Sequence, residues 1–114
     1  MSFQATQNKG FQMRFDNGFK ISVQWGTMNY CERKNLMVDY RSELENPEHP
    51  SGVTESQDAE IAVIGPEDEM LGIGEHDQVI GWLSPDEVAK VITIVSSSKT
   101  DNEIKLKIKS LNLS

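Results

Sequence analysis

The sequence predicts an α+β domain in which a small antiparallel sheet of hairpins is covered by one capped C-terminal helix. Three observations predict it. Phe11, Met13 and Phe15 alternate with polar residues before Asp16-Asn17-Gly18, and Phe19, Ile21, Val23 and Trp25 alternate after it. Two short apolar runs, AEIAVIG and EMLGIG, flank Pro66-Glu67-Asp68. The stretch SPDEVAKVITIV opens with a helix-start signal and continues with apolar residues at helical spacing. Side chains alternate faces along a strand and return to one face every 3.6 residues along a helix, so each pattern names its element. At 114 residues the chain suits one domain, 1–114, because a chain of this size seldom divides into two cores.

The first hairpin has a loop length that its apolar residues dictate. A two-residue Asn17-Gly18 loop would pair Phe15 with Lys20 and drive one apolar stripe into water, since a slip of one residue exchanges the faces. A three-residue loop of Asp16, Asn17 and Gly18 pairs Phe15 with Phe19, Met13 with Ile21 and Phe11 with Val23. Such a loop needs a left-handed residue at its third position, which glycine supplies without a steric penalty. Arg14 and Lys20 then face outward together.

Residues 26–58 lack sustained periodicity, with a short strand expected at 36–40 and a mobile loop at about 42–58, where Asn, Glu, Pro and Ser are dense. The runs around Pro66 to Asp68 predict a second hairpin, with residues 61–64 apolar on both faces as in a central strand. QVIGWL is a further strand. Ser84, Pro85 and Glu87 form a capping box with proline at the first helical position, Leu83 and Val88 are placed for a hydrophobic staple, and Val88, Val91, Ile92 and Val95 mark the apolar face. Ser96 to Ser98 end this helix. In the tail, Ile104, Leu106 and Ile108 alternate with lysines, which predicts an edge strand guarded by charge. The competing reading is a helix capped by Thr100 and Glu103, with Ile104, Ile108 and Leu111 on one face.

The net charge is −7, which disfavours direct nucleic-acid binding because phosphate needs a basic surface. Its distribution is uneven. Residues 1–41 hold six basic and three acidic residues (+3), residues 42–103 hold two and fifteen (−13), and residues 104–114 hold three lysines (+3). No apolar run reaches the roughly 20 residues of a membrane helix, and MSFQATQNKG does not read as a signal peptide. One cysteine, Cys31, leaves no internal disulfide to form, consistent with a reducing cytoplasm. Self-association is left open by composition.

No constellation for catalysis stands out, and no cofactor is expected. His49 and His76 lack partners at zinc-ligand spacing, and GIGEHD lacks the full dinucleotide-binding pattern. Cys31 has Arg33 and Lys34 nearby, which would favour a thiolate, but a buried inert cysteine is the commoner case. The stronger candidate is a binding surface of Arg14, Lys20, Trp25, Asn29, Tyr30 and Arg33, which together supply aromatic faces, an amide and cations. An alternative acidic surface consists of Glu67, Asp68 and Glu69, as a mimic of nucleic acid directed at the basic groove of a nuclease. A small metal-dependent hydrolase built on the acidic turns is the enzymatic rival.

The segments FDNGFKISVQWGTMNYC, AEIAVIG and GWLSPDEVAKVI resemble a group of small tailed-bacteriophage accessory proteins with an F-x-N-G-x-x-x-S-V-Q-x-G-x-x-N-Y-C block and a late S-P-D-E-V helix. The resemblance covers about a third of the chain and brings no catalytic residues with it. It implies a setting in the host cytoplasm, where many such proteins bind and neutralise a host factor; because no catalytic constellation points to turnover, the expected role is non-enzymatic, countering bacterial defence by stoichiometric binding of a host protein or a small nucleotide signal.

Overall fold

The computed structural model describes residues 1–6, 9–26, 29–33, 55–74 and 78–113. Five strands, β1 (Ser2–Ala5), β2 (Gly10–Arg14), β3 (Lys20–Gln24), β4 (Ala59–Ile64) and β5 (Val79–Leu83), form one antiparallel sheet in the order of the chain. Two helices follow, α1 (Pro85–Ser97) and α2 (Asp101–Ser110). The class is α+β, as the sequence predicts.

The first hairpin has the three-residue loop. Phe15 N–H donates to the Phe19 carbonyl at 2.8 Å, Gly18 N–H donates to Phe15 at 2.9 Å, and Gly18 has φ of 91°. The ladder pairs Met13 with Ile21 and Phe11 with Val23, so Phe19, Ile21 and Val23 enter the core together. The second turn repeats the pattern. Gly65 N–H donates to the Glu69 carbonyl at 2.7 Å and Asp68 N–H to the Gly65 carbonyl at 3.0 Å, with Asp68 in the left-handed region at φ of 63°. Its far arm is shorter than the expected strand: a single bridge joins Ile64 to Met70.

Helix α1 starts as the sequence predicts. The Ser84 side chain accepts from Glu87 N–H, and Glu87 reciprocates by accepting from Ser84 N–H. Val88, Val91 and Val95 are buried and the helix packs over β3, β4 and β5. At its other end, the Asn17 side-chain amide donates to the carbonyls of Val95 and Ser98 at 2.7 and 2.8 Å. The last-turn carbonyls that no intrahelical N–H can reach thus find a partner from the hairpin loop.

One expectation is corrected. The tail is the helix α2 and not an edge strand, so two helices accompany the sheet where one was expected. Thr100 caps α2 by accepting from Glu103 N–H at 3.1 Å, Ile104 and Ile108 are buried, and Leu106, in phase only for a strand, is 69% exposed. The physical reason is that helical spacing puts Ile104 and Ile108 together on one buried face toward α1, whereas a strand would also turn Leu106, which here lies in water, to that face. Strand β1 was not expected; its four residues are all exposed and too few to show a period. The strand expected at 36–40, and residues 42–54 of the expected loop, lie outside the described residues. Among the described residues, no helix is long and apolar enough to cross a membrane.

Candidate functional site: an aromatic groove beside β5

Strand β5 carries an irregularity with chemical consequences. Its register with β4 shifts by one residue between the Ala59–Leu83 and Ile61–Ile80 pairs, so Gly81 and Trp82 together stand opposite Glu60. This is a β-bulge, a device that re-aims a side chain. Trp82 adopts φ of 55°, unusual for a bulky residue and costing on the order of 1–3 kcal/mol. Its indole is 55% exposed.

The bulge is held by the segment 29–33, which crosses the sheet as a strap. Trp82 N–H donates to the Tyr30 carbonyl at 2.8 Å, and Tyr30 N–H donates to a Glu60 carboxylate oxygen at 2.9 Å. The two rings lie with centroids 5.4 Å apart and planes tilted by 35°. Only glycine fits at 81, since a Cβ there would stand 2.4 Å from Tyr30 Cβ and 2.8 Å from the Tyr30 carbonyl oxygen. The strap is pinned further where Glu32 N–H donates to Asp58 Oδ1 at 2.6 Å and Gln57 N–H to Glu32 Oε1 at 2.7 Å.

Beside this pair runs an open groove of about 760 Å³ between β5, residues 72–74 and α2. The exposed Lys105 and Lys109 lie one helical turn apart on its wall, and Asn112, at φ of 55°, closes its end. Two of the three described non-glycine residues with positive φ therefore line one groove. The arrangement offers an exposed ring face, two ammonium groups and an amide, which together suit a flat anionic molecule.

The structure divides the residues that the sequence singles out. Arg14 and Lys20 sit opposite one another at the turn end of the sheet, whereas Tyr30 lies near Gln24 and Glu60, which pair at the other end, about 13 Å away along the strand. Arg14 also has internal partners: Nη2 meets Asp68 Oδ1 at 2.6 Å and Nη1 donates to the Gly18 carbonyl at 2.7 Å. The like-charge pairing with Lys20 is thus offset by a carboxylate of the same chain. Trp25 packs edge-on to Phe11, with centroids 6.2 Å apart, and lines a different concavity from Tyr30. Asn29 shapes the strap, accepting from Gly26 N–H at 2.9 Å and donating to Glu60 at 3.3 Å.

Arg33 is 4% exposed and Cys31 2% exposed. Burial pushes the Cys31 thiol above its ordinary value, opposite to the direction that the neighbouring cations suggest from sequence. In the acidic turn, Asp68 is committed to Arg14 and Glu69 accepts from Glu67 N–H at 3.1 Å. Lys34, His49, Glu75, His76 and Asp77 lie outside the described residues, and among the described residues no cluster of three or more metal-ligating side chains occurs. Of the predicted binding residues, Tyr30 alone reaches the groove. Trp82, Lys105, Lys109 and Asn112 were not singled out in the sequence, although the helical reading of the tail already sets Lys105 and Lys109 on one face. Comparison of the chain with protein-family models, curated proteins and solved structures gave no match in any of the three.

Proposed function

We propose that this α+β protein is a non-enzymatic phage accessory protein, acting in the host cytoplasm, that counters bacterial defence by holding a small nucleotide signal stoichiometrically in the groove beside β5. The observation that carries the binding reading is Trp82, an exposed indole held in a costly backbone conformation, backed by Tyr30 and facing a wall with Lys105 and Lys109. Folding stability alone gives no reason to keep a large apolar ring half in water at such a φ, whereas a base stacking on it does. The lysines supply charge for phosphate. The phage setting rests on the sequence blocks alone.

The acidic turn supports mimicry of nucleic acid less well, because two of its carboxylates already serve the turn and Arg14. The experiment is a titration of Trp82 fluorescence, in a Trp25→Phe background, with a panel of mononucleotides and cyclic dinucleotides. Quenching that saturates at one ligand per chain, weakens with added salt and disappears in Lys105→Glu/Lys109→Glu supports the reading. Absence of quenching by every nucleotide tried, or consumption of the nucleotide by catalytic amounts of protein, overturns it.

A further inference from the structure

The two edges of the sheet are treated differently. At β5 the bulge breaks the ladder and the Tyr30 carbonyl occupies Trp82 N–H. At β1, nothing comparable occurs among the described residues: Ser2, Phe3, Gln4 and Ala5 are exposed, regular and uncharged, without proline. Proteins ordinarily blunt such an edge with charge, proline or a bulge, because its free N–H and C=O groups are a template for another strand. Helix α1 packs on β3, β4 and β5 and not on β1 or β2, and Phe3 is 81% exposed.

Hydrogen-bond parity tells which groups are free. Opposed residues of an antiparallel ladder alternate between pairs that exchange both backbone bonds and pairs that exchange none. Thr6 N–H donates to the Gly10 carbonyl at 3.0 Å, and the register carries that parity to Gln4 with Gln12 and Ser2 with Arg14. The backbone groups of Phe3 and Ala5 therefore point away from β2, toward the open edge.

We propose that β1 is a pairing edge for a second copy of this chain, the two β1 strands meeting antiparallel about a two-fold axis at Phe3. The choice of a second copy rests on self-complementarity. With Phe3 opposite the partner's Phe3, Ala5 falls opposite the partner's Met1 and Ser2 opposite the partner's Gln4. The apolar residues then share the face on which the helices lie, and the polar ones share the other. The same register brings the free N–H and C=O groups of Phe3 against their own counterparts. No like charges oppose one another, although the chain carries a net charge of −7. A two-fold contact of this kind uses one patch on both subunits and closes, rather than growing into a fibre.

Sedimentation velocity over a concentration series tests the proposal. The expected result is a monomer–dimer equilibrium that both Ala5→Pro and Phe3→Glu weaken at least tenfold. Ala5→Pro removes an N–H that β2 does not use, so the melting temperature of the dilute protein should be retained. As a second measurement, Phe3→Cys should give a disulfide-linked dimer on mild oxidation, with the buried Cys31 unreactive in the parent chain as control. A chain that stays monomeric at every concentration, a dimer indifferent to both edge variants, or a Phe3→Cys variant that does not cross-link overturns it. The first of these outcomes leaves the edge to a strand of a different protein.

Discussion

Asn17 and Ser98 are joined by a side-chain hydrogen bond of 2.8 Å that ties the first hairpin loop to the end of α1. The same amide reaches Val95 at 2.7 Å, and its oxygen accepts from Phe19 N–H at 3.0 Å. One side chain therefore closes a turn and caps a helix. Asn17→Ala leaves the two carbonyls without this donor and should destabilise the fold by about 1–3 kcal/mol, read as a lower urea midpoint with an unchanged slope. Asn17→Asp should be at least as damaging, because a carboxylate would face carbonyl oxygens at the negative end of the helix dipole.

Gly81→Ala should uncouple the strap from β5. The added methyl meets Tyr30 backbone and Cβ, neither of which is a flexible chain end, so the strap must move. A loss of about 1–3 kcal/mol is expected for such overpacking. Near-ultraviolet circular dichroism from the Tyr30–Trp82 pair should fall while the far-ultraviolet spectrum persists.

Cys31 should react slowly with thiol reagents. It is 2% exposed, and its thiol is raised chiefly by burial, with Asp58 adding to the effect and the Arg33 backbone N–H opposing it. At neutral pH both access and thiolate are scarce. Labelling under native conditions should follow the rate of opening, and become fast only in denaturant.

The Glu103 carboxyl is held below its ordinary value, first by Lys99 N–H at 2.7 Å and then by Lys107. A depressed carboxylate contributes stability that is present above its unfolded value and lost as pH falls through its folded value. Fraying of α2 should therefore begin below about pH 4.5, the ordinary value of this group. Glu103→Gln should remove part of that acid dependence in amide exchange across residues 101–104.

What the sequence disclosed was local. The first hairpin was legible because apolar phase and Gly18 agreed on one loop length, and α1 was legible because Ser84, Pro85 and Glu87 stand side by side. The tail misled because Ile104 and Ile108 satisfy both a strand period, with Leu106, and a helical one, with Leu111. The choice between them depends on packing against α1, which lies elsewhere in the chain. Likewise, the two aromatic residues that the sequence groups are separated: Trp25 packs on Phe11, while Tyr30 stacks with Trp82. That contact is made by a backbone kink that no pattern of side chains announces.

The order of the strands in the sheet follows the order of the chain, yet one ladder differs from the rest. Partners across β2 and β3 run from Arg14–Lys20 to Gly10–Gln24, close in sequence, whereas β3 and β4 pair Gln24 with Glu60 and Lys20 with Ile64. Bringing those ends together costs about 3 kcal/mol of chain entropy before any contact offsets it. The β1–β2–β3 meander and the α1–α2 pair are, by contrast, built from contacts close in sequence, which form quickly. The β3–β4 ladder is thus a seam expected to form late in folding. Tyr30 belongs to one side of that seam, and Trp82, Lys105 and Lys109 belong to the other. The groove exists only in chains that have crossed it, so a ligand at the proposed site would select finished molecules and hold the seam shut by mass action.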